Sequence, residues 1–163
     1  MTAEQPLISD EMRAGIGVEG PPRLLEIDRT SIRMFARAVG HTDPVFYDPE
    51  AARKRGYRDI IAPPGYLGTG VFRPTAAEAG ETAAGGGRRR PGGMTRGLNA
   101  GNEYEYLDVI TAGDVLEARS KTVDIAQRQG SLGPMIITTS ETVYRRLSDG
   151  KVVAKGRGSG ISY

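Results

Sequence analysis

The sequence predicts an α+β fold, because its helical patterns come first and its strand patterns follow as a run. Apolar residues recur at helical spacing before residue 40, whereas alternating and longer strand-like segments dominate after residue 103. The chain has 163 residues, which is enough for one domain with a substantial hydrophobic core. We therefore expect a single domain in which short helices accompany an antiparallel sheet.

The first helix is predicted just before residue 40. Residues 24–27 form a short strand candidate. Asp28 or Thr30 can cap the helix that follows, because a short side-chain oxygen accepts a free backbone N–H there. Gly40 is typical of a helix C-terminus. Between these ends, four apolar residues are expected to share one face of the helix: Ile32, Phe35, Ala36 and Val39.

Prolines mark the starts of two further helices. Pro49 suits the first position of a short exposed helix over residues 49–55. A Pro-Pro pair at residues 63–64 precedes a longer helix, which we expect over residues 65–72. The glycines of this second helix are poor helix formers, so their value would be a close approach by another backbone.

The C-terminal half predicts strands. Tyrosines alternate with glutamates at residues 103–106, and longer strands are expected over residues 114–125, 135–145 and 151–162. Ser-Asp-Gly at residues 148–150 predicts a hairpin turn between the last two strands. A glycine- and arginine-rich connection precedes them over residues 75–98, and we expect it to be flexible without a ligand.

The composition argues against several classes of function. A net charge of +2 is too small to indicate a nucleic-acid-binding protein. The chain has no cysteine and one histidine, so thiolate chemistry is excluded and no metal site is expected. Neither a signal-peptide pattern nor an apolar run of membrane-spanning length is visible, so we expect a soluble cytoplasmic protein.

Two segments carry the clearest functional signal. Gly-His-Thr-Asp-Pro-Val-Phe occupies residues 40–46, and Ile-Ala-Pro-Pro-Gly-Tyr occupies residues 61–66. Farther along, Ala-Gly-Asp-Val-Leu stands at residues 112–116 and Asp-Gly-Lys-Val-Val-Ala at residues 149–154. In order and spacing, these strings resemble the motifs of MaoC-like, hot-dog-fold enoyl-CoA hydratases. The Ala-Pro-Pro string also resembles type-I fatty-acid-synthase-like dehydratase domains.

The resemblance covers residues 15–163 and implies a single hot-dog domain, in which a curved antiparallel sheet wraps around a central helix. Residues 1–14 would then be an N-terminal leader, and residues 65–72 would form the central helix. The fold does not by itself fix the reaction, since hot-dog domains serve hydratases, dehydratases and thioesterases.

The first motif departs from the family at its catalytic positions. In the similar enzymes it reads Gly-Asp-x-Asn-Pro-x-His, and the Asp and His are the catalytic acid–base pair. This chain has His41, Asp43 and Phe46 at the Asp, Asn and His positions. Phe46 neither accepts nor donates a proton, so His41 and Asp43 are the motif-equivalent catalytic candidates. The alternative is structural: a polar helix end for His41 and a turn residue for Asp43.

The resemblance also implies an oxyanion-binding backbone N–H at the start of the second segment. Ungapped alignment selects Pro64, which has no N–H, whereas a shift of one residue selects Gly65. Tyr66 adjoins this position and is either a substrate contact or a core residue.

Four further residues are candidate substrate contacts. Asn99 stands where relatives often have a histidine, and its alternative role is a turn at the start of a strand. Arg88, Arg89 and Arg90 can pair with the phosphates of coenzyme A, or they lie on a solvated loop.

These observations favour a non-catalytic or weakly catalytic subunit of a heteromeric MaoC-like enoyl-CoA hydratase, equivalently a 3-hydroxyacyl-CoA dehydratase. A catalytic MaoC-like subunit would be the partner in a heterodimer or heterotetramer. This chain would shape the acyl-CoA pocket for a bulky or long acyl group. No cofactor is expected, and the coenzyme A thioester is the substrate.

Two other functions stay open at the level of the sequence. One is a self-sufficient homodimeric hydratase or thioesterase that uses His41 and Asp43. The other is a non-enzymatic scaffold that binds acyl-CoA. Activity of the isolated chain would favour the first, and binding of acyl-CoA without activity or a catalytic partner would favour the second.

Overall fold

The computed structural model describes residues 7–69, 94–131 and 133–163. Five strands form one antiparallel sheet in the order β1-β3-β4-β5-β2. The strands are β1 Arg23–Glu26, β2 Gly97–Tyr106, β3 Val115–Gly130, β4 Gly133–Arg146 and β5 Val152–Ser162. The described α-helices are α1 Asp10–Ala14, α2 Arg29–Ala38 and α3 Pro49–Lys54, and two 3-10 turns are Pro44–Phe46 and Tyr66–Gly68. The expected α+β class and the run of antiparallel strands are confirmed.

Helix α2 begins and ends where its capping residues predict. The Asp28 side chain accepts a hydrogen bond from the backbone N–H of Ser31 at 2.9 Å. After the helix, Gly40 has a φ of 77°, in the left-handed region that glycine adopts without strain. The His41 N–H then donates to the Ala36 carbonyl at 2.9 Å, which closes a Schellman-type helix end.

The buried face of α2 differs in one residue from the predicted one. Ile32 and Ala36 are fully buried, and Phe35 packs against the core. Val39 is 51% exposed, so its predicted place on this face is wrong. The reason is that regular helix ends at Ala38, and Val39 is the C-cap, with φ −98° and ψ 5°.

The helix expected over residues 65–72 is wrong where the structure describes it, up to Thr69. Gly65 has a φ of 87°, which is incompatible with a right-handed helix. The next three residues form a single 3-10 turn, and Thr69 is extended, with φ −95° and ψ 175°. The rest of the expected helix lies outside the described residues.

The hydrophobic core lies between the sheet and the helices and turns that follow β1 in sequence. Its buried side chains come from β1, α2, α3, the segments around residues 45, 60 and 67, and the sheet. Its buried members include Leu25, Ile27, Ile32, Ile60, Tyr66, Leu67, Leu116, Tyr144 and Val153. The core therefore holds both motif-bearing segments against the sheet.

The segment before β1 lies along β3, and the leader boundary at residue 14 stays a prediction. Ile8 is 7% exposed. The N–H groups of Gly17 and Gly20 donate to the carbonyl oxygens of Thr122 and Ser120, each at 2.8 Å. This pairing extends the β1 side of the sheet along β3. None of the helices in the described part of the chain is long and apolar enough to cross a membrane.

Candidate functional site

The first motif forms a tight turn directly after α2. Pro44–Phe46 is a 3-10 turn with proline at its start. The Tyr47 hydroxyl donates to the carbonyl oxygen of His41 at 2.5 Å and so ties the two ends of the turn together. The family motif is thus held in one shape by its own backbone and by Tyr47.

Asp43 is fully engaged in holding this turn. One of its carboxylate oxygens accepts the N–H of Val45 at 3.0 Å, and the other accepts the Arg55 guanidinium at 2.7 Å. The hydrogen bond from Arg55, followed by the one from Val45, holds the pKa of Asp43 below its ordinary value. An ionised carboxylate that already accepts two hydrogen bonds is a poor general base at neutral pH. The geometry therefore fits the structural role that the sequence leaves open for Asp43.

His41 and Phe46 lie side by side in the turn. Their ring centroids are 5.2 Å apart, with planes inclined by 47°. Phe46 also packs against the hydrophobic core. In the described residues no side chain forms a hydrogen bond with the His41 imidazole, so no acid–base pair is assembled around it. The turn brings His41 and Phe46 together, and of these two rings only the His41 imidazole can transfer a proton.

The second segment places a backbone N–H at Gly65. Pro64 is exposed and has no N–H to offer. The Gly65 N–H donates to the Tyr106 hydroxyl at 3.0 Å, and a side chain on Gly65 would come 3.4 Å from the Phe35 ring. Of Pro64 and Gly65, only Gly65 has a backbone N–H for an oxyanion. That N–H already donates to Tyr106 in this chain.

Tyr66 is a core residue in this structure. It is fully buried, and its ring meets Phe35 edge to face at a centroid distance of 5.9 Å. Its hydroxyl shares a 2.5 Å hydrogen bond with the Ser31 hydroxyl. Burial raises the pKa of Tyr66. A ligand reaching Tyr66 would first have to displace these core contacts.

Asn99 lies on β2 and is exposed. Its side-chain oxygen accepts the N–H of Gly101 at 3.0 Å, where the pairing with β5 shifts by one residue. This contact fits the turn role that the sequence leaves open for Asn99. Arg88, Arg89 and Arg90 lie outside the described residues, as does most of the connection over residues 75–98.

A cluster of tyrosines beside this site escapes the sequence analysis. Tyr104 and Tyr106 from β2 share a sheet face with Tyr144 from β4, as the strand register shows. Burial raises the pKa of Tyr144 to about 12. Gly156 on the intervening strand makes room, because a Cβ there would lie 3.0 Å from the Tyr104 ring. The signal available in the sequence is the combination of alternating tyrosines on β2 and alternating glycines on β5.

A separate polar cavity of about 330 Å³ lies near the β4–β5 turn. Asp114 lies at its base, with its side chain 1% exposed. The Asp114 carboxylate pairs with Arg58 and lies 3.3 Å from Nε of Arg146, and it accepts the N–H of Thr111 at 2.8 Å. These contacts join two loops to the end of β4, so the cavity wall is a structural ion-pair network.

Comparison with known proteins gives this geometry a context. The chain matches the family model described as FAS1-like, dehydratase domain region, over residues 14–155. A UPF0336 protein of Streptomyces avermitilis is 36% identical over 106 residues, covering 65% of this chain and 67% of that protein. A probable enoyl-CoA hydratase alpha subunit of Thermomonospora curvata is 29% identical over 133 residues, covering 77% of this chain and 41% of that protein.

Solved structures share the fold. The C-terminally truncated HadBC complex of Mycobacterium tuberculosis, a 3R-hydroxyacyl-ACP dehydratase, aligns with a TM-score of 0.67 and 22% identity, covering 90% of this chain and 96% of that chain. The ChsH1–ChsH2 complex of the same organism aligns with a TM-score of 0.63 and 19% identity, covering 89% of this chain and 88% of that chain. At these identities the likeness concerns the fold, and it confirms the expected hot-dog architecture.

Proposed function

The chain belongs to the family of FAS1-like, MaoC-like dehydratase domains, and from that premise we propose that it is the non-catalytic or weakly catalytic subunit of a heteromeric enoyl-CoA hydratase. A catalytic MaoC-like subunit supplies the Asp and His that activate water and protonate the substrate. This chain supplies part of the wall of the acyl-CoA pocket. The reaction is the addition of water to a trans-2-enoyl thioester, or its reverse.

The observation that carries this proposal is the chemistry of the motif turn. Phe46 stands at the histidine position, and its ring packs beside His41 at 5.2 Å. Hydration needs one group that takes a proton from water and one that gives a proton to the alpha carbon. Asp43 is committed to Arg55 and Val45, so the turn offers His41 no free carboxylate as an acid–base partner.

The sheet edge formed by β2 supports a partner subunit. Among the described strands, β2 pairs with β5 alone, and eight of its ten residues are exposed, all except Tyr104 and Tyr106. Leu98 on this strand is 58% exposed. Long unpaired edges invite pairing with another chain, and soluble proteins usually cover or shorten them. Both solved structures described above are complexes by name.

The glycines of β5 support a role in shaping a pocket. Gly156, Gly158 and Gly160 alternate along the strand and share one sheet face. Their missing side chains leave space above the sheet, part of which the Tyr104 ring and the Asn102 amide fill. A surface of this kind suits a bulky or long acyl group that lies close to the backbone.

The homodimeric alternative receives less support. It needs His41 and Asp43 to act together, but the bonds of Asp43 run to Arg55 and Val45. Thioester hydrolysis by the same pair meets the same difficulty, because the lowered pKa of Asp43 weakens it as a base. Two copies of this chain would therefore place two incomplete sites in one dimer.

The isolated chain tests the proposal directly. Purified protein is incubated with crotonyl-CoA and with a longer enoyl-CoA, and loss of the enoyl absorbance is followed. The expected result is no turnover above the uncatalysed rate. Turnover that disappears in His41→Ala, with folding intact, would overturn the proposal and establish the homodimeric alternative. Arg37→Ala serves as a matched control, since Arg37 is an exposed residue of the same helix end.

A further inference from the structure

The turn after Pro64 uses its backbone N–H groups inside the chain. Pro64 itself has none. Three N–H groups donate to carbonyl oxygens of the same turn at 2.9–3.1 Å, those of Tyr66, Gly68 and Thr69. The two that remain belong to Gly65 and Leu67. These are the groups with which the turn can bind an oxygen atom from elsewhere.

One of these two groups, the Gly65 N–H, meets the hydroxyl of Tyr106. The Gly65 N–H donates to it at 3.0 Å. Burial raises the pKa of Tyr106, while hydrogen bonds from the backbone of Gly65 and, to a smaller extent, of Leu67 lower it. A backbone N–H aimed at an oxygen atom in this way is the kind of donor that stabilises the oxyanion of a thioester during acyl chemistry.

We infer that Tyr106 fills the oxygen position of this turn and withholds the Gly65 N–H from a thioester carbonyl. The inference rests on the proposed function and deepens it: besides lacking an acid–base pair, this chain closes its own oxyanion position. Among the described partners of the turn's N–H groups, Tyr106 is the one that binds through a side chain. A single substitution at Tyr106 therefore releases the position.

The position is within reach of a ligand once the hydroxyl is removed. Gly65 is exposed, and it lies next to the exposed Pro64. Tyr106→Phe keeps the ring that packs against the core and removes the oxygen atom alone. A carbonyl oxygen can then approach the Gly65 N–H from the solvent side.

The experiment compares the full-length chain with Tyr106→Phe. Hydrogen exchange of the Gly65 amide is followed by NMR, and we expect it to become about five- to tenfold faster when its acceptor is lost. Crotonyl-CoA labelled with ¹³C at the thioester carbonyl is then titrated into both proteins. In Tyr106→Phe we expect a downfield carbonyl shift and about fivefold tighter binding, because the freed N–H polarises the carbonyl.

Tyr104→Phe is the matched control. Tyr104 lies two residues away on the same strand face. It should change neither the Gly65 exchange rate nor the carbonyl shift. An unchanged exchange rate in Tyr106→Phe, or faster exchange without a carbonyl shift, would overturn this inference. Hydration of crotonyl-CoA by the unaltered chain, followed in the same samples, would overturn the proposed function instead.

Discussion

Two aspartates in this molecule make the same bonds in different surroundings. In Asp43 and in Asp114, one carboxylate oxygen accepts a nearby backbone N–H and the other accepts an arginine. Asp114 has a second arginine, Arg146, within 3.3 Å, and its side chain is 1% exposed. The Asp43 side chain is 39% exposed. The motif turn therefore carries a surface ion pair, whereas the buried ion-pair network lies elsewhere in the molecule.

Replacing Asp114 is expected to have the largest effect on stability. Asp114→Ala leaves the N–H of Thr111 without its acceptor and removes one of the three carboxylates that pair with the mostly buried Arg146, which keeps Asp108 and Asp149. Since removal of one partner of a buried pair costs about 3–5 kcal/mol, we expect a loss near the lower end of this range. Chemical denaturation measures this loss. Asp114→Asn retains an acceptor for Thr111 and should lose less. A loss below about 1 kcal/mol in Asp114→Ala, typical of exposed pairs, would erase the contrast with Asp43.

Replacing Asp43 should have a much smaller effect. Asp43→Asn removes the charge that pairs with Arg55 but keeps an oxygen for the N–H of Val45. Exposed ion pairs contribute little, because solvent and salt screen them. The midpoint of denaturation should therefore fall only slightly. A loss as large as that of Asp114→Ala would mean that the motif turn is as important to stability as the buried network.

The pH dependence of the Asp43 effect has a definite sign. The folded-state pKa of Asp43 lies below its ordinary value, because of Arg55 and then Val45. Its contribution is therefore present above the unfolded-state pKa of about 3.9 and is lost as the pH falls through the lower folded-state value. The stability difference between wild type and Asp43→Asn should be constant near neutral pH and shrink in acid. A difference that grows below pH 4 would contradict this assignment.

Local patterns in the sequence predicted the caps and most of the strands. Asp28 and Gly40 act as the sequence indicates, because caps depend on neighbouring residues alone. The helix expected after Pro64 is wrong up to Thr69, because the left-handed backbone of Gly65 is a property of the folded chain. The prediction that Val39 lies on the buried helix face is wrong, because Val39 is one residue beyond the helix end and its side chain does not follow the helical spacing.

Long-range pairing could not be predicted from the sequence. Asp114 meets Arg58 across 56 residues, and Gly65 meets Tyr106 across 41. No spacing rule connects such positions, since the sheet topology alone brings them together. The departure at Phe46 was visible at once because it lies inside a contiguous motif. The sequence therefore showed what the site lacks, and the structure showed how its remaining polar groups are used.

The number of active sites per heterodimer tests the central claim most directly. The assembled complex of this chain with its catalytic partner is titrated with a tight-binding substrate analogue while hydratase activity is followed. The account predicts that one equivalent per heterodimer abolishes turnover, because Phe46 leaves this chain without an acid–base pair. Two equivalent active sites per heterodimer would contradict it and show that this chain is catalytic.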